Sequence, residues 1–233
     1  MTLDISAHRS LLLQILKDIY TDTEISPHMG FKGGTAAYFF YGLSRFSVDL
    51  DFDLLDKEKE DLVFSKVEKI AQNYGEIKDA SKKRHTLFFV ISYEEKSQNI
   101  KLEINLRDYG SKYEIKTYLG IPMQVMNKED MFANKFIAML ERKKEANRDI
   151  FDVWFFLKHN WPLNKTTIEE RTGLGMKKFL EKCIQKLEKK TNRNILDGMG
   201  ELLDEEQKKW AKENLLNDTI FLLKISKENE TKS

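Results

Sequence analysis

The sequence predicts an α/β (α+β) fold: a mixed sheet with flanking helices over residues 1–126, followed by an all-helical half over residues 127–233. Two observations carry this prediction. Extended runs of apolar or alternating residues occur in the first half, whereas apolar residues at helical spacing continue almost to the end of the second half. No Gly/Ser-rich or Pro-rich linker divides the two halves, so we expect them to pack together.

Helices and strands both occur in the first half. We predict helices over residues 4–22, 34–42 and 57–73, and strands over residues 28–32, 48–54, 86–92, 100–106 and 121–126. The helix 34–42 is apolar on nearly every side, which predicts that it is buried. The run 86–92 is continuously apolar, which predicts a strand buried on both faces. The run 100–106 alternates, so we expect Glu103 on the solvent side of its strand.

Helical patterns fill the second half. They predict helices over residues 128–142, 147–158, 166–172, 176–190, 193–203 and 205–225, and we expect the polar tail 227–233 to be disordered. Residues 177–193 hold seven lysines and arginines against two acids. This stretch is either a candidate footprint for an RNA backbone or an ordinary solvated helix face. A second, shorter basic loop is expected at residues 82–85.

Composition limits the class of protein. Of the 233 residues, 41% are hydrophobic and 33% charged, which is ordinary for a globular protein with a sizeable core. The net charge of +1 excludes a globally basic nucleic-acid-binding protein. The single cysteine, Cys183, cannot form an internal disulfide, which fits a reducing compartment. Because neither a signal-peptide pattern nor a membrane-spanning run is visible, we expect a cytoplasmic protein without a membrane partner.

Residues 30–53 contain the strongest chemical pattern. Gly33 and Gly34 lie where a short strand turns into a helix, and free N–H groups at that positive helix end would bind a phosphate. Asp49 and Asp51 are two apart, so in a strand they project to the same side. Such a carboxylate pair favours a hard divalent cation, Mg²⁺ or alternatively Mn²⁺. A phosphate site beside it predicts metal-assisted chemistry on a nucleotide, with a nucleoside triphosphate (NTP) as substrate.

The string KGGTAAYFFYGLSRFSVDLDF, residues 32–52, resembles the DNA polymerase β-type nucleotidyltransferases, whose pattern is a Gly-Gly turn followed by Asp-x-Asp on the next strand. It is closer still to one branch, the AbiEii/AbiGii-type, MenA-like toxins of bacterial toxin–antitoxin pairs. The likeness resumes at Lys135 and at residues 148–157. The resemblance implies a nucleotidyltransferase-fold sheet, with the helical half completing the active-site cleft.

The resemblance also places the triphosphate at the Gly-Gly turn. Thr35 would help to cradle it, although an ordinary helix N-terminus with Thr35 in a capping turn explains the same residues. Ser47 would lie at the edge of the metal site, because a serine at this place belongs to the active site of the toxins that the chain resembles. Lys32 and Arg45 would pair with phosphate, or are surface charges.

Further acids near the pair have different expected roles. The resemblance implies a third acid on a neighbouring strand, which would complete the metal site or deprotonate the acceptor hydroxyl. Glu103 is our candidate, with Asp108 as its competitor and a surface pair with Lys101 as the alternative explanation. Asp53 lies at the end of its strand and is interpreted as structural rather than as a metal ligand.

Two predicted helices of the second half supply a lysine and two acids. By resemblance, Lys135 would contact the triphosphate, and Asp149 or Asp152 would orient that lysine or the base. The two acids are three residues apart and share a helix face, so the sequence does not choose between them. A buried ion pair that joins two helices explains the same residues without a role in chemistry.

The resemblance therefore implies a nucleotidyltransferase that joins a nucleotide to an acceptor hydroxyl, with a tRNA 3′ end as the expected acceptor. The role would be that of the toxin in a toxin–antitoxin or phage-defence pair, with an antitoxin as partner. Two other classes remain open. One is a transferase acting on an antibiotic or metabolite, which the small net charge suits equally. The other is a non-catalytic nucleotide-binding module, which the intact Asp49/Asp51 pair disfavours.

Overall fold

The computed structural model describes residues 3–94 and 98–232. It divides into two compact units, Met1–Asn127 and Lys128–Ser233. Within the described residues, the strands all lie in the first unit, and the second unit consists of helices and turns. The division therefore falls where the sequence changes from mixed to purely helical patterns.

The first unit contains a seven-stranded mixed sheet within the described residues. Its elements are α1 (Ile5–Thr21), β1 (Met29–Lys32), α2 (Gly33–Tyr41), β2 (Leu50–Leu54), α3 (Glu60–Gln72), β3 (Glu76–Lys83), β4 (Thr86–Ser92), β5 (Ile100–Asn105), β6 (Tyr113–Tyr118) and β7 (Ile121–Met126). The strand order is β3-β4-β5-β2-β1-β7-β6, with β2–β5 and β1–β7 parallel and the other neighbours antiparallel. The predicted α/β fold with a mixed sheet and flanking helices is confirmed.

Side chains alternate between the two faces of the sheet. One face of the central strands is apolar and fully buried, and its residues include Leu50, Phe52, Leu87, Phe89, Ile91, Leu102 and Ile104. Helix α3 packs on this face, where the ring of Phe64 lies 5.0 Å from that of Phe89. The opposite face of β2 and β5 carries Asp51 and Glu103. Burial of the apolar residues therefore directs these two acids to the other side.

Two strands of the sheet, β3 and β6, have no counterpart among the predicted elements. Both lie at the edges of the sheet, and none of their residues is fully buried. An edge strand without a buried face lacks the alternation of apolar and polar residues that predicts a strand. The predicted basic loop at residues 82–85 is therefore partly wrong, because Lys82 and Lys83 end β3 and only Arg84 and His85 form a turn.

Two predictions of complete burial are wrong. In β4, alternate residues are fully buried, while Phe88 and Val90 on the other face are half-buried. In α2, residues 34–37 are buried, but the aromatic residues 38–41 are half-exposed. These aromatic side chains lie near an edge of the sheet, where the ring of Phe39 is 5.1 Å from that of Tyr118 on β6. Apolar composition alone did not distinguish burial by the core from contact with an edge strand.

The second unit is built from helices around an aromatic core. Its elements are α4 (Lys128–Glu141), α5 (Asn147–Lys158), α6 (Lys165–Thr172), α7 (Met176–Glu188), α8 (Glu205–Trp210) and α9 (Leu216–Lys232). A π-helical segment, Ala211–Leu215, joins the last two. In the core, the ring of Phe156 stacks on Trp161 at 4.0 Å, and the ring of Phe136 packs edge-on against Phe179 at 4.9 Å.

Two predictions about this unit are corrected. The helix expected over 193–203 is replaced by short 3₁₀ turns at Asn192–Asn194 and Gly200–Leu202, and Gly198 between them has a φ of +66° that no helix allows. The tail expected to be disordered continues α9 as far as Lys232. Among residues 3–94 and 98–232, none of the helices combines the length and the hydropathy that a transmembrane segment requires.

Candidate active site

The Gly-Gly turn joins β1 to α2 and lies directly against a carboxylate. Gly33 begins α2 with a φ of +79°, a left-handed conformation that favours glycine. A Cβ atom at this position would lie 2.2 Å from Oδ2 of Asp51. The carboxylate of Asp51 therefore rests on the α carbon of Gly33, at the positive end of α2, where no other residue leaves room for it.

The next two residues of the turn contact the segment that leads into β2. A Cβ atom on Gly34 would lie 2.8 Å from Oγ of Ser47 and 2.9 Å from Nη2 of Arg45. The hydroxyl of Thr35 donates a hydrogen bond to the backbone carbonyl of Asp49. The turn is therefore built against Ser47, Asp49 and Asp51, the residues that the sequence predicts beside it.

The position of Asp49 beside the turn does not follow from alternation along a strand. Strand β2 begins at Leu50, so Asp49 precedes it, and the prediction that Asp49 lies within the strand is wrong. Side-chain hydrogen bonds hold the backbone here instead. Besides the bond from Thr35, Nε2 of His8 lies 2.9 Å from the carbonyl oxygen of Val48. Because a carbonyl can only accept, His8 must donate this bond.

Glu103 lies beside Asp51 on the parallel neighbour β5. The two residues are paired in register, which places them on the same face of adjacent strands about 4.8 Å apart. The pKa of Glu103 is raised, first by loss of solvation and then by the carboxylates of Asp51 and Asp49. Asp108, the competing candidate, accepts a hydrogen bond from the N–H of Gly110 at 2.8 Å within an exposed turn. The structure thus groups Glu103, rather than Asp108, with the two aspartates.

Asp53 has a different environment from Asp51, although both are on β2. Its buried carboxylate forms an ion pair with Lys32 and accepts hydrogen bonds from Asn105, at 2.6 Å, and from the hydroxyl of Tyr113. These contacts agree with the interpretation of Asp53 as structural. They also give Lys32 a partner other than phosphate.

The oxygen donors of this site suit a hard divalent cation. Among residues 3–94 and 98–232, no group of three histidine, cysteine, aspartate or glutamate side chains is arranged to enclose a metal ion. Mg²⁺ does not need such a cage, because it is usually bound by one or two carboxylates together with water and substrate phosphates. Asp49 and Asp51 beside a helix N-terminus supply that donor set, and Mg²⁺ is therefore compatible with the residues present.

Two residues of this region were missed or misjudged in the sequence. For Arg45 the sequence leaves open a pair with phosphate or a surface charge. The side chain is only 1% exposed, and its Nη1 donates to the carbonyl of Phe46 at 2.9 Å, so it is not a surface charge. His8 is not among the predicted site residues, although it lies on the apolar stripe of α1 and is fully buried. A histidine at an apolar helical position was the available signal, because its polar ring must find partners when buried.

The contacts of His8 predict a pH-dependent stability. Burial lowers its pKa below the usual 6.5, against smaller opposing effects of Val48 and Asp49. The unfolded chain takes up a proton at higher pH than the folded protein does. We therefore expect the free energy of unfolding to decrease as the pH falls below about 6.5, through the lowered pKa of the folded state.

Urea unfolding of the wild type and of His8→Gln at several pH values tests this prediction. Glutamine keeps an N–H donor for Val48 but does not titrate, so the variant should lose less stability between neutral and acidic pH. Equal pH dependence in the two proteins would show that His8 does not cause the effect.

In the second unit, Lys135 contacts both of the acids that the sequence left open. Its Nζ lies 3.3 Å from Asp149 and 2.9 Å from Asp152, and both carboxylates are buried. Arg142 makes a second ion pair with Asp149, at 3.1 Å. The network joins α4 to α5, so a buried ion pair between two helices is present whatever further role these residues have.

We expect Lys135→Met to lower the free energy of unfolding by about 3 kcal/mol, because it leaves two carboxylates buried with one cation fewer. Lys135→Arg keeps the charge and should recover most of this loss. Chemical denaturation of both variants measures the difference. Equal stability of Lys135→Met and the wild type would contradict the prediction.

The basic stretch 177–193 is partly neutralised by ion pairs. Lys186 and Lys190 both pair with Glu145, while the two acids of the stretch, Glu181 and Glu188, pair with lysines of α9. These contacts favour the interpretation as an ordinary helix surface that helps to hold α9.

Comparisons with known proteins identify the family of this chain. Two crystal structures from Helicobacter pylori have similar folds: a candidate nucleotidyltransferase, with a TM-score of 0.66 and 22% identity over 100% of this chain and 98% of that one, and JHP933, with a TM-score of 0.63 and 21% identity over 100% and 96%. Curated protein sequences give no match. A family model described as "Nucleotidyl transferase AbiEii toxin, Type IV TA system" matches residues 14–218. The chain is therefore a nucleotidyltransferase of the AbiEii toxin family of type IV toxin–antitoxin systems.

Proposed function

We propose that this nucleotidyltransferase uses Mg²⁺, or alternatively Mn²⁺, to transfer a nucleotide from an NTP to the 3′-terminal hydroxyl of a tRNA. It would act as the toxin of a toxin–antitoxin or phage-defence pair. One observation carries the proposal: the carboxylate of Asp51 rests against Gly33 at the N-terminus of α2, with Glu103 in register beside it. A helix end that suits a phosphate and carboxylates that suit a cation thus share one face of the sheet.

Each of these residues has a part in the proposed reaction. The N–H groups of the Gly33–Gly34 turn would hold the triphosphate, and Asp49 and Asp51 would hold the cation against it. When bound, Mg²⁺ supplies positive charge that stabilises the attacking and leaving oxygens. Glu103 would take the proton of the acceptor hydroxyl, whose oxygen then bonds to the α-phosphorus while the bond from that phosphorus to pyrophosphate breaks.

Lys135 is proposed to contact the triphosphate, as the family resemblance implies, with Asp149 and Asp152 orienting it. The ion pairs of Lys135 with both acids support the proposal that Asp149 and Asp152 orient it. The Lys135→Arg variant separates the two roles, because it keeps the charge but changes the geometry of the donor. Normal stability with reduced transfer would indicate a role beyond the ion pair. Full transfer by the neutral variant Lys135→Met would remove Lys135 from the proposed site.

The direct test is incubation of the purified protein with total tRNA, Mg²⁺ and each of the four α-labelled NTPs. We expect labelled tRNA from the wild type, no labelling after addition of EDTA, and release of pyrophosphate in proportion to the label. Absence of labelled RNA with all four NTPs would contradict the tRNA acceptor.

The alternative acceptor is a small molecule, either an antibiotic or a metabolite. The small net charge of +1 suits such an acceptor as well as it suits RNA. The same labelling reaction with a small-molecule extract in place of tRNA detects it. Growth arrest on expression of the wild type, but not of Asp49→Ala, would favour the toxin over this alternative. Binding of NTP without any turnover would instead indicate a non-catalytic nucleotide-binding module.

A further inference from the structure

The face of the sheet that carries Asp51 and Glu103 continues onto the neighbouring strands β4 and β3. In the register of β5 with β4, Glu103 is opposite Phe88, and in the register of β4 with β3, Phe88 is opposite Ser81. Residues opposite each other on antiparallel strands share a face, with Cβ atoms about 5 Å apart. The ring of Phe88 therefore lies directly beside Glu103, on the side away from Asp51.

Two lysines flank this ring on the same face. Lys101 is two residues before Glu103 on β5, and the Nζ atom of Lys83 lies 3.6 Å from the centre of the Phe88 ring. Lys83 is opposite Thr86, two residues before Phe88, so its side chain lies on the same face of the sheet as Phe88. Lys82, the neighbour of Lys83, points to the other face and forms an ion pair with Asp61 of α3.

The side chains of Lys83, Phe88 and Lys101 are accessible to a ligand, and neither lysine is held in an ion pair with a described carboxylate. Lys83 and Lys101 are exposed and Phe88 is half-buried. Neither lysine has a described carboxylate within ion-pair distance, in contrast to Lys32, Lys66, Lys78, Lys82 and Lys116. Two such cations beside an aromatic ring suit a ligand that combines phosphate groups with a flat base.

We infer that Lys83, Phe88 and Lys101 form the acceptor subsite, which binds the single-stranded 3′ end of a nucleic acid. The ammonium group of Lys83 moves from the ring of Phe88 to a phosphate, and a base near the end of the strand stacks on the face that it leaves. Lys101 contacts an adjoining phosphate, and the terminal hydroxyl is directed toward Glu103. This inference rests on the proposed function, because Glu103 is the group proposed to deprotonate the acceptor. The subsite specifies where the acceptor binds, and its three residues would favour a nucleic acid over a small molecule.

The test measures binding of a fluorescently labelled RNA hairpin with a single-stranded 3′ CCA end, by anisotropy and without NTP. We expect Lys101→Ala and Phe88→Leu each to weaken binding by about fivefold or more. The dependence of log K on log salt should become shallower by about 0.7 for Lys101→Ala, as for the loss of one phosphate contact to a single strand. Lys82→Ala is the matched control, since Lys82 lies on the other face, and its affinity should stay within about twofold of the wild type.

A transfer assay then separates this inference from the proposed function. The KM for RNA should rise in Lys101→Ala while the KM for NTP stays unchanged. RNA binding that depends on Lys101 and Phe88 supports the subsite even if no nucleotide is transferred, a result that would refute only the proposed function. Unchanged RNA affinity in both variants, or a wild type that transfers nucleotide without binding RNA, would overturn the subsite. Thermal unfolding of Phe88→Leu checks that the variant is folded, and the exposed Lys101 provides a variant without that concern.

Discussion

Asp51→Asn should reduce nucleotidyl transfer by about 10³-fold or more while the protein remains folded. The substitution keeps the size of the side chain that rests on Gly33, but removes the charge that would hold a divalent cation there. It also removes the nearest carboxylate that raises the pKa of Glu103. We therefore expect a melting temperature equal to that of the wild type or slightly higher, because repulsion between neighbouring acids is relieved. Labelled-nucleotide transfer and thermal unfolding measure the two effects.

Asp53→Asn is the matched control, because it makes the same chemical change two residues along the same strand. Asp53 is paired with Lys32, Asn105 and Tyr113, so its neutralisation should lower the free energy of unfolding by about 1–3 kcal/mol. Transfer by this variant should stay within about tenfold of the wild type where it is folded. If Asp53→Asn loses as much transfer as Asp51→Asn, the assignment of one acid to chemistry and the other to structure is wrong.

The parts of the fold that the sequence predicted best are those whose cause is local. Strand β7 (Ile121–Met126) and helix α5 (Asn147–Lys158) have the bounds expected from their patterns, because apolar residues recur along each at the period of its secondary structure. The requirement for glycine at Gly33 is also local, since a tight entry into a helix needs a positive φ. Such features are encoded within a few residues and can be identified without knowledge of the remaining chain.

The parts that could not be predicted depend on pairing between distant segments. Phe88 lies beside Glu103 only because β4 and β5 pair in one particular register, which no periodicity specifies. The bond from His8 to the carbonyl of Val48 spans forty positions of sequence. The edge strand β3 is polar because only one of its sides has a neighbouring strand. These contacts surround the predicted carboxylates, and no local pattern in the sequence indicates them.

Gly33→Ala should lower nucleotidyl transfer by about 10²-fold, because its new methyl group must displace the carboxylate of Asp51. The Cβ atom would lie 2.2 Å from Oδ2 and 2.9 Å from Cγ of Asp51. Both distances are shorter than van der Waals contact, so the carboxylate of Asp51 could not stay at its present position. Alanine at a φ of +79° also costs about 1–2 kcal/mol of stability. Denaturant unfolding and transfer assays on the same preparation measure these two contributions separately.

Gly42→Ala isolates the conformational part of this effect. Gly42 ends the same helix, α2, with a similar φ of +73°, but a Cβ atom there would meet nothing within 4 Å. This variant should therefore lose about the same 1–2 kcal/mol while keeping transfer close to that of the wild type. A large difference in transfer between two variants of similar stability would tie the loss to Asp51, because the two glycines differ in what they contact and hardly at all in backbone conformation. Equal transfer by both variants would mean that the position of Asp51 against the turn is not required for the reaction.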